Sequence, residues 1–338
     1  MKVSVCLTTY NHAPHIRQAI EGVLMQQTDF DFEFLIGEDE SNDGTREIVR
    51  EYAARHPEKI RLFLHSRKDV HYVNGKPTGR RNLVNNLRQA RGQYIALLEG
   101  DDYWTAPNKL QKQADLLDSH PDLALCFHRV EMLRDDGRKQ PFLEGRKQDR
   151  YTLADFLDSR CHIHTVSVML RNGLAGDLPE WYWSMPFGDL PLYALQAQHG
   201  DIGFMDEVMA VYRIHGGGIW SQGAGLGKWM QPENPANNWR LAGMVDFYEA
   251  VNKHLGFKYD TLLRDKISMW CYALVWAYRV QGDRATMKAY LQRALRTKVF
   301  NSHTPASFVL KSLLHAYAPF IYSPLNRIKK STTSGRGT

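Results

Sequence analysis

Glycine is missing where a glycine cradle for a nucleotide would have to lie. Thr8 to His12, directly after the first apolar run, contains none, and no GxxxxGK[ST] occurs anywhere in the 338 residues. A dinucleotide-binding GxGxxG loop and a P-loop are both excluded, so bound phosphates would need neutralising by another device. Cysteine is scarce: Cys6, Cys126, Cys161 and Cys271 stand far apart with no CxxC. That rules out a disulfide framework and a thiolate zinc cluster, and it fits a reducing, cytoplasmic compartment. Long apolar runs are absent too, so no membrane-spanning segment is expected. Lys2 to Leu7 is too short for a signal peptide and reads as a first strand. Acid is lacking at one end only. Asn301–Thr338 has no Asp or Glu but carries Lys311, Arg327, Lys329, Lys330 and Arg336, five of the six excess charges in a net +6. A duplex-binding protein needs its basic face on the folded body, so nucleic acid is not an expected partner.

What the chain does hold is a crowd of acids. The apolar run Tyr94 to Leu98, bounded by Gly92 and Gly100, reads as a buried strand and ends in Glu99, Asp101 and Asp102. Three carboxylates in four residues repel one another, and Mg²⁺ or Mn²⁺ with a diphosphate would offset the cost. A solvated acidic turn is the plainer reading of an Asp-Asp pair taken alone. Earlier strands are read at Val3 to Leu7, Phe32 to Ile36 and Ile60 to Leu64, alternating with helices from Ile16 to Met25, after Gly44, and from Arg80 to Ala90. Thr45 or Asp43 is the expected cap of the second helix. This alternation predicts right-handed βαβ units and an α/β fold, a mostly parallel, Rossmann-like central sheet with helices on both faces. A second acid-rich loop, Glu38 to Thr45, then falls on the same sheet edge as the first. Thr8 and Tyr10 join them there, suited to hydrogen bonding and to stacking on a base.

Taken together, Ser4 to Asn11, Glu38 to Thr45, Arg81-Asn82 and Leu98 to Trp104 resemble the family 2 glycosyltransferases of the GT-A fold, in the family's order and over about the first 225 residues. The resemblance implies an inverting transfer of sugar from a nucleoside-diphosphate sugar, by family habit a UDP-sugar, to an acceptor hydroxyl on a glycan or glycolipid. It places Thr8, Tyr10, Asn11, Asp39, Arg81 and Asp101 at the donor. Asp101 and Asp102 fall in its metal-binding acid motif for Mn²⁺ or Mg²⁺, although Glu99 stands where that motif often has Asp. In Tyr212-Arg213-Ile214-His215 the family's His reaches the metal or diphosphate; a His before three glycines would otherwise be structural, and Arg213 is left open between a core ion pair and a phosphate contact. Gly188-Asp189 opens an apparent helix, so Asp189 is either an N-cap or, by the resemblance, the general base.

The remaining features are weaker. Ile163 to Arg171 alternates like a strand on the acceptor side, and His162 and His164 share one of its faces without a third ligand for zinc nearby. Trp181, Tyr182 and Trp183 suit sugar faces as well as ordinary packing. Gly216 to Asn238 reads as a loop that folds over bound donor. Helices follow over Trp239–Leu255, Tyr259–Val280 and Ala285–Leu295, the last two as a hairpin at Gly282-Asp283. The expected division is a nucleotide-sugar and catalytic domain over 1–225, a C-terminal helical appendage over 226–300 and a basic tail over 301–338. The tail is either an amphipathic segment at the inner face of the plasma membrane or a docked helix followed by disorder. Two other functions remain: a metal-dependent sugar-phosphate nucleotidyltransferase, and a non-catalytic carbohydrate-binding protein. Oligomeric state is not legible.

Overall fold

A computed structural model gives the fold, with residues 1–142, 148–174, 176–217 and 234–318 described. The chain divides into two compact units, Met1–Gln222 and Gly223–Thr338. The first unit begins with β1 (Val3–Thr9), α1 (Ile16–Leu24), β2 (Phe32–Glu38), α2 (Thr45–Arg55) and β3 (Ile60–Leu64). A hairpin, β4 (His71–Val73) and β5 (Lys76–Thr78), leads to α3 (Arg80–Gln89), β6 (Tyr94–Glu99) and β7 (Tyr103–Trp104). There follow α4 (Lys109–Ser119), β8 (Leu123–Arg134), β9 (Lys139–Pro141), β10 (Arg150–Tyr151) and α5 (Leu153–Leu157). The unit ends with β11 (Met169–Arg171), α6 (Glu180–Ser184), α7 (Asp189–Ala197) and β12 (Asp201–Ile214).

One sheet organises the unit, in the order β10-β12-β8-β11-β6-β1-β2-β3. The run β3-β2-β1-β6 is parallel throughout. Its strands are near-continuous apolar sequence because both faces are covered, with every residue of β2 buried. Ile16, Ala19, Ile20 and Val23 of α1 are buried at the spacing that marks one helical face. Beyond β6 the sheet becomes mixed. β11 enters antiparallel between β6 and β8, while β8 and β12 run parallel.

The expectation of a single strand from Ile163 to Arg171 holds only for Met169–Arg171; Thr165–Ser167 is a 3₁₀ turn. Side-chain bonding explains the difference. Ser167 Oγ donates to the His164 carbonyl at 2.7 Å, and Trp104 Nε1 takes the Val166 carbonyl at 2.9 Å, so these carbonyls are spent before a ladder can use them.

Two asparagines lock α3 under the sheet's carboxyl edge. Asn82 Nδ2 donates to the Gly37 carbonyl at 2.8 Å, and Asn86 Nδ2 to the Leu7 carbonyl at 2.9 Å. Gly37 is required for that approach, since a Cβ there would lie 1.7 Å from Asn82 Oδ1. At α2 neither expected residue is the cap: Gly44 holds that position in a left-handed conformation at φ 99°, Thr45 is the first helical residue, and Asp43 Oδ1, one residue before the cap, accepts from the Thr45 amide at 3.0 Å.

The second unit contains α8 (Asn238–His254), α9 (Asp260–Gln281), α10 (Arg284–Thr297) and α11 (Ala306–Tyr317). α9 stops at left-handed Gly282, and Asp283 caps α10 by accepting from the Thr286 amide at 3.0 Å. α11 docks on this unit, with Val309, Ser312 and Ala316 buried and the Ala316 carbonyl bonded to Arg284 at 2.8 Å. Most of the loop expected to close over donor, and the tail from residue 319 onward, lie outside the described residues. No helix among the described residues is long and apolar enough to cross a membrane.

Candidate active site

The carboxyl ends of β1, β2 and β6 deliver polar side chains to one edge. At the end of β6, the carboxylates of Glu99, Asp101 and Asp102 offer oxygens that all lie within 4.8 Å of one another. Gly100 permits the turn between them, because a Cβ there would meet Thr9 Oγ1 at 2.5 Å. Asp102 is fully buried: one oxygen accepts from the Arg213 amide at 2.7 Å, and the other has no partner among the described residues. Burial, then the charges of Asp101 and Glu99, push its carboxyl well above the usual range. Glu99 is pushed up to about 8 by burial and by the neighbouring charges of Asp101 and Asp189.

Asp101 escapes this fate. Burial alone would raise it, but His215 and His12 outweigh that and hold it below its ordinary value. His215 Nε2 lies 3.0 Å from Asp101 Oδ2 and His12 Nε2 lies 3.8 Å from it. The His15 ring stands 5.0 Å from that of His215. The Arg213 guanidinium bonds the Asp101 carbonyl and Gln18, and rests 4.4 Å over the Tyr103 ring. Arg213 therefore braces the acid turn by its backbone and side chain together. An unpartnered buried carboxylate oxygen, a proton forced onto Glu99 and an imidazole on the rim form a donor set that suits a hard divalent cation such as Mg²⁺ or Mn²⁺.

Asp189 is the first residue of α7, with Gly188 rather than Asp189 at the N-cap position. Burial raises its pKa, more strongly than the amides of Leu190 and of its own residue lower it. Its charge acts on the Glu99 carboxyl, the Arg80 guanidinium and the Tyr193 phenol. The segment ahead of it hangs on Arg80. That buried guanidinium donates to the carbonyls of Trp183 at 2.6 Å, of Phe187 at 3.0 Å and of Met185. The Trp183 carbonyl also meets His71 Nε2 at 2.6 Å.

On the β1–β2 side, Asn11 adopts φ 53° and joins the two loops: its amide donates to Ser41 Oγ at 2.9 Å and its Oδ1 accepts from the Asn42 amide at 3.1 Å. Asp39 is buried, its carboxyl raised by that burial, and its amide donates to the Thr9 carbonyl at 3.1 Å. Thr8 is half-buried at the end of β1, and Tyr10 is exposed with the Arg67 guanidinium 4.1 Å above its ring. Arg81 faces outward, paired with Asp69 at 3.5 Å with both side chains more than 60% exposed. The edge thus gathers Thr8, Tyr10, Asn11 and Asp39 at the β1–β2 loops and Glu99, Asp101, Asp102 and His215 around the end of β6, while Asp189 opens α7 with its charge acting on Glu99. His162 and His164 instead pack edge-on against Phe142, at 5.9 and 4.6 Å, and burial brings His164 down to about 4. Arg80, His12 and His15 were missed as site residues: His12 sits visibly in the Tyr10-Asn11-His12 run, whereas nothing in the sequence distinguishes Arg80 from Arg81.

Comparison with known proteins followed the same lines. The family model described as Glycosyl transferase family 2 matches residues 4–175. An uncharacterized protein of Mycobacterium tuberculosis is 37% identical over 225 residues, 64% of this chain and 60% of that protein. The chain therefore spans about 60% of the length of its mycobacterial relatives. The Escherichia coli UDP-Glc:alpha-D-GlcNAc-diphosphoundecaprenol beta-1,3-glucosyltransferase WfgD is 35% identical over 145 residues, 43% of this chain and 52% of that one. Among solved structures, the mannosyltransferase PcManGT from Pyrobaculum calidifontis, in complex with GDP-Man and Mn²⁺, superposes with a TM-score of 0.54 at 18% identity, over 94% of this chain and 81% of that chain. TarS 1-349 from S. aureus, in complex with UDP-GlcNAc, gives 0.52 at 16% identity, over 94% and 93%. These likenesses bear out the α/β, GT-A architecture.

Proposed function

The chain belongs to glycosyl transferase family 2, and on that premise we propose that it transfers a sugar from a nucleoside-diphosphate sugar to an acceptor hydroxyl with inversion at the anomeric carbon. One observation carries the reading. Glu99, Asp101 and Asp102 cluster after β6, His215 from the far end of β12 lies 3.0 Å from Asp101, and the charge of Asp189 at the start of α7 acts on Glu99. A UDP-linked donor and a glycan or glycolipid acceptor of cell-surface polysaccharide synthesis are favoured by what the E. coli relative is named for.

In this reading residues 1–225 form the catalytic domain. Tyr10 stacks on the base, Thr8 and Asp39 bond the base and ribose, and Asn11 fixes the loops that carry them; Arg81, turned outward onto Asp69, takes no part at the donor in this reading. Asp101, Asp102 and His215, joined by Glu99, would hold a Mn²⁺ or Mg²⁺ ion, which when bound neutralises charge developing on the leaving diphosphate. Asp189 accepts the proton of the acceptor hydroxyl as its oxygen attacks from the face opposite the nucleotide. A single displacement follows, with oxocarbenium character in the transition state. Asp189 suits the task because burial has already raised its basicity. Arg80 keeps the segment before it in place, so that the base arrives with its geometry set.

The test is a panel of nucleotide sugars, each incubated with the protein with and without Mn²⁺, watching for free nucleotide. Release from one donor that depends on the ion supports the proposal. Pyrophosphate production from a sugar phosphate and a nucleoside triphosphate would instead make the protein a nucleotidyltransferase. No nucleotide release from any donor would leave carbohydrate binding as the function.

A further inference from the structure

A cleft of about 460 Å³ opens beside α3, lined by His71, Arg81, Val84, Asn85, Arg88 and Trp183. Its size falls in the range that takes a small ligand, and it is larger than one monosaccharide needs. Arg81, Asn85 and Arg88 share one helical face, being four and three residues apart. Two turns separate the arginines, about 10 Å along the axis, so their long side chains can converge on one anion or span two. Val84 supplies an apolar floor. The opposite wall is rigid: the Trp183 carbonyl is held by both His71 and Arg80, and the indole stands edge-on to the His71 ring at 5.5 Å.

The polar lining is one-sided. Arg88 is exposed and has no ion-pair partner among the described residues. Arg81 has Asp69, but that pair is exposed and 3.5 Å apart, so it is readily exchanged for a better anion. No carboxylate lines the cleft. Two guanidinium groups ask for an anionic ligand, and an indole wall asks for a sugar face beside it.

The donor already has its place for charge, at the carboxylates after β6. Trp183, by contrast, lies on the segment that leads to Asp189, the proposed base, over which the acceptor must lie. We infer that this cleft seats an anionic group of the acceptor, a phosphate or a carboxylate carried on a sugar unit next to the one that receives the transfer. The inference rests on the sugar-transfer reading for its word acceptor, but its chemistry is tested separately.

The experiment uses the full chain with UDP and Mn²⁺ present and two matched pairs of probes: N-acetylglucosamine with its 1-phosphate, and glucose with glucuronic acid. Binding is read by calorimetry or by ligand-observed NMR. At least a tenfold preference for the charged member of a pair is expected, and the pair that shows it tells phosphate from carboxylate. Arg88→Ala, at an exposed helix position where refolding is not at stake, should erase that preference. Equal binding of charged and neutral probes, or a preference that survives both Arg88→Ala and Arg81→Ala, would overturn the inference. If wild-type protein releases no nucleotide from any donor yet keeps the charged-probe preference, the transfer reading has failed and the anion site stands.

Discussion

His215 Nε2 stands 3.0 Å from Asp101 Oδ2, a contact that closes a loop of 114 residues and brings the end of β12 onto the turn after β6. The two groups titrate against each other. The Asp101 contact raises His215 above its ordinary 6.5, and His215 helps to hold Asp101 below its ordinary 3.8. For His215 the stabilisation is full below 6.5 and lost as pH rises through the raised value; for Asp101 it is full above 3.8 and lost as pH falls through the lowered one. In EDTA, this pair should therefore contribute most between those limits and weaken on the alkaline side, where Glu99, raised to about 8, also costs the folded protein stability. His215→Gln should make the alkaline decline shallower without removing it. A decline in melting temperature above pH 6.5 identical to that of the wild type would place the histidine's step elsewhere.

Glu99 gives a second pH effect of opposite sense. Burial and the charges of Asp101 and Asp189 push it up to about 8, so at neutral pH the metal-free protein holds a proton there. A divalent ion needs the carboxylate, and its binding must expel that proton. Mn²⁺ affinity should rise with pH up to about 8 and then level, and calorimetry in buffers of different ionisation enthalpy should detect proton release. Glu99→Gln should weaken binding and flatten its pH dependence. Retention of the full pH slope in that variant would assign the proton to another group.

Much of this edge was legible in the sequence because its parts are local. Strand β6 and its acids are contiguous, β1 and β2 are short apolar runs with polar ends, and α1 shows its buried face at regular spacing. What was not legible depends on long-range partners. The shortening of β11 to Met169–Arg171 follows from competition for carbonyls by Ser167 and Trp104, which no alternation pattern contains. Glu99 was read as the doubtful acid because it departs from a motif, yet its oxygens join the cluster. Arg80 and Arg81 are neighbours of identical type, but the helix turns one into the core and the other to solvent.

That contrast sets a third prediction. Arg80 satisfies the carbonyls of Trp183, Met185 and Phe187 from within the core. Arg80→Ala strands those acceptors and should cost about 3 kcal/mol or more. Arg80→Lys keeps the charge but cannot fork across three carbonyls. It should stay folded with nearly normal UDP binding, while turnover falls at least tenfold as the Asp189 segment loosens. Equal losses of turnover and UDP affinity in the lysine variant would mean that Arg80 serves the donor instead.

Asp189 bears the last prediction. Its carboxyl is raised by burial, with Arg80 and the amides at the start of α7 only partly opposing the shift. A base must be ionised to accept a proton, so the acid limb of the turnover profile should lie above the ordinary carboxylate value of 3.8, with rate lost as pH falls through the raised pKa. Asp189→Asn keeps the shape and the helix-start hydrogen bonding but cannot take a proton. It should lower turnover by about 10²- to 10⁴-fold, abolish that acid limb and leave UDP affinity within a factor of about two, since donor binding falls to residues on β1, β2 and β6. A carboxylate that merely sits in the first turn of α7 would behave otherwise. Asn would then replace it at little cost, and both turnover and melting temperature would stay near wild type. The same substitution thus separates a structural carboxylate from a reacting one.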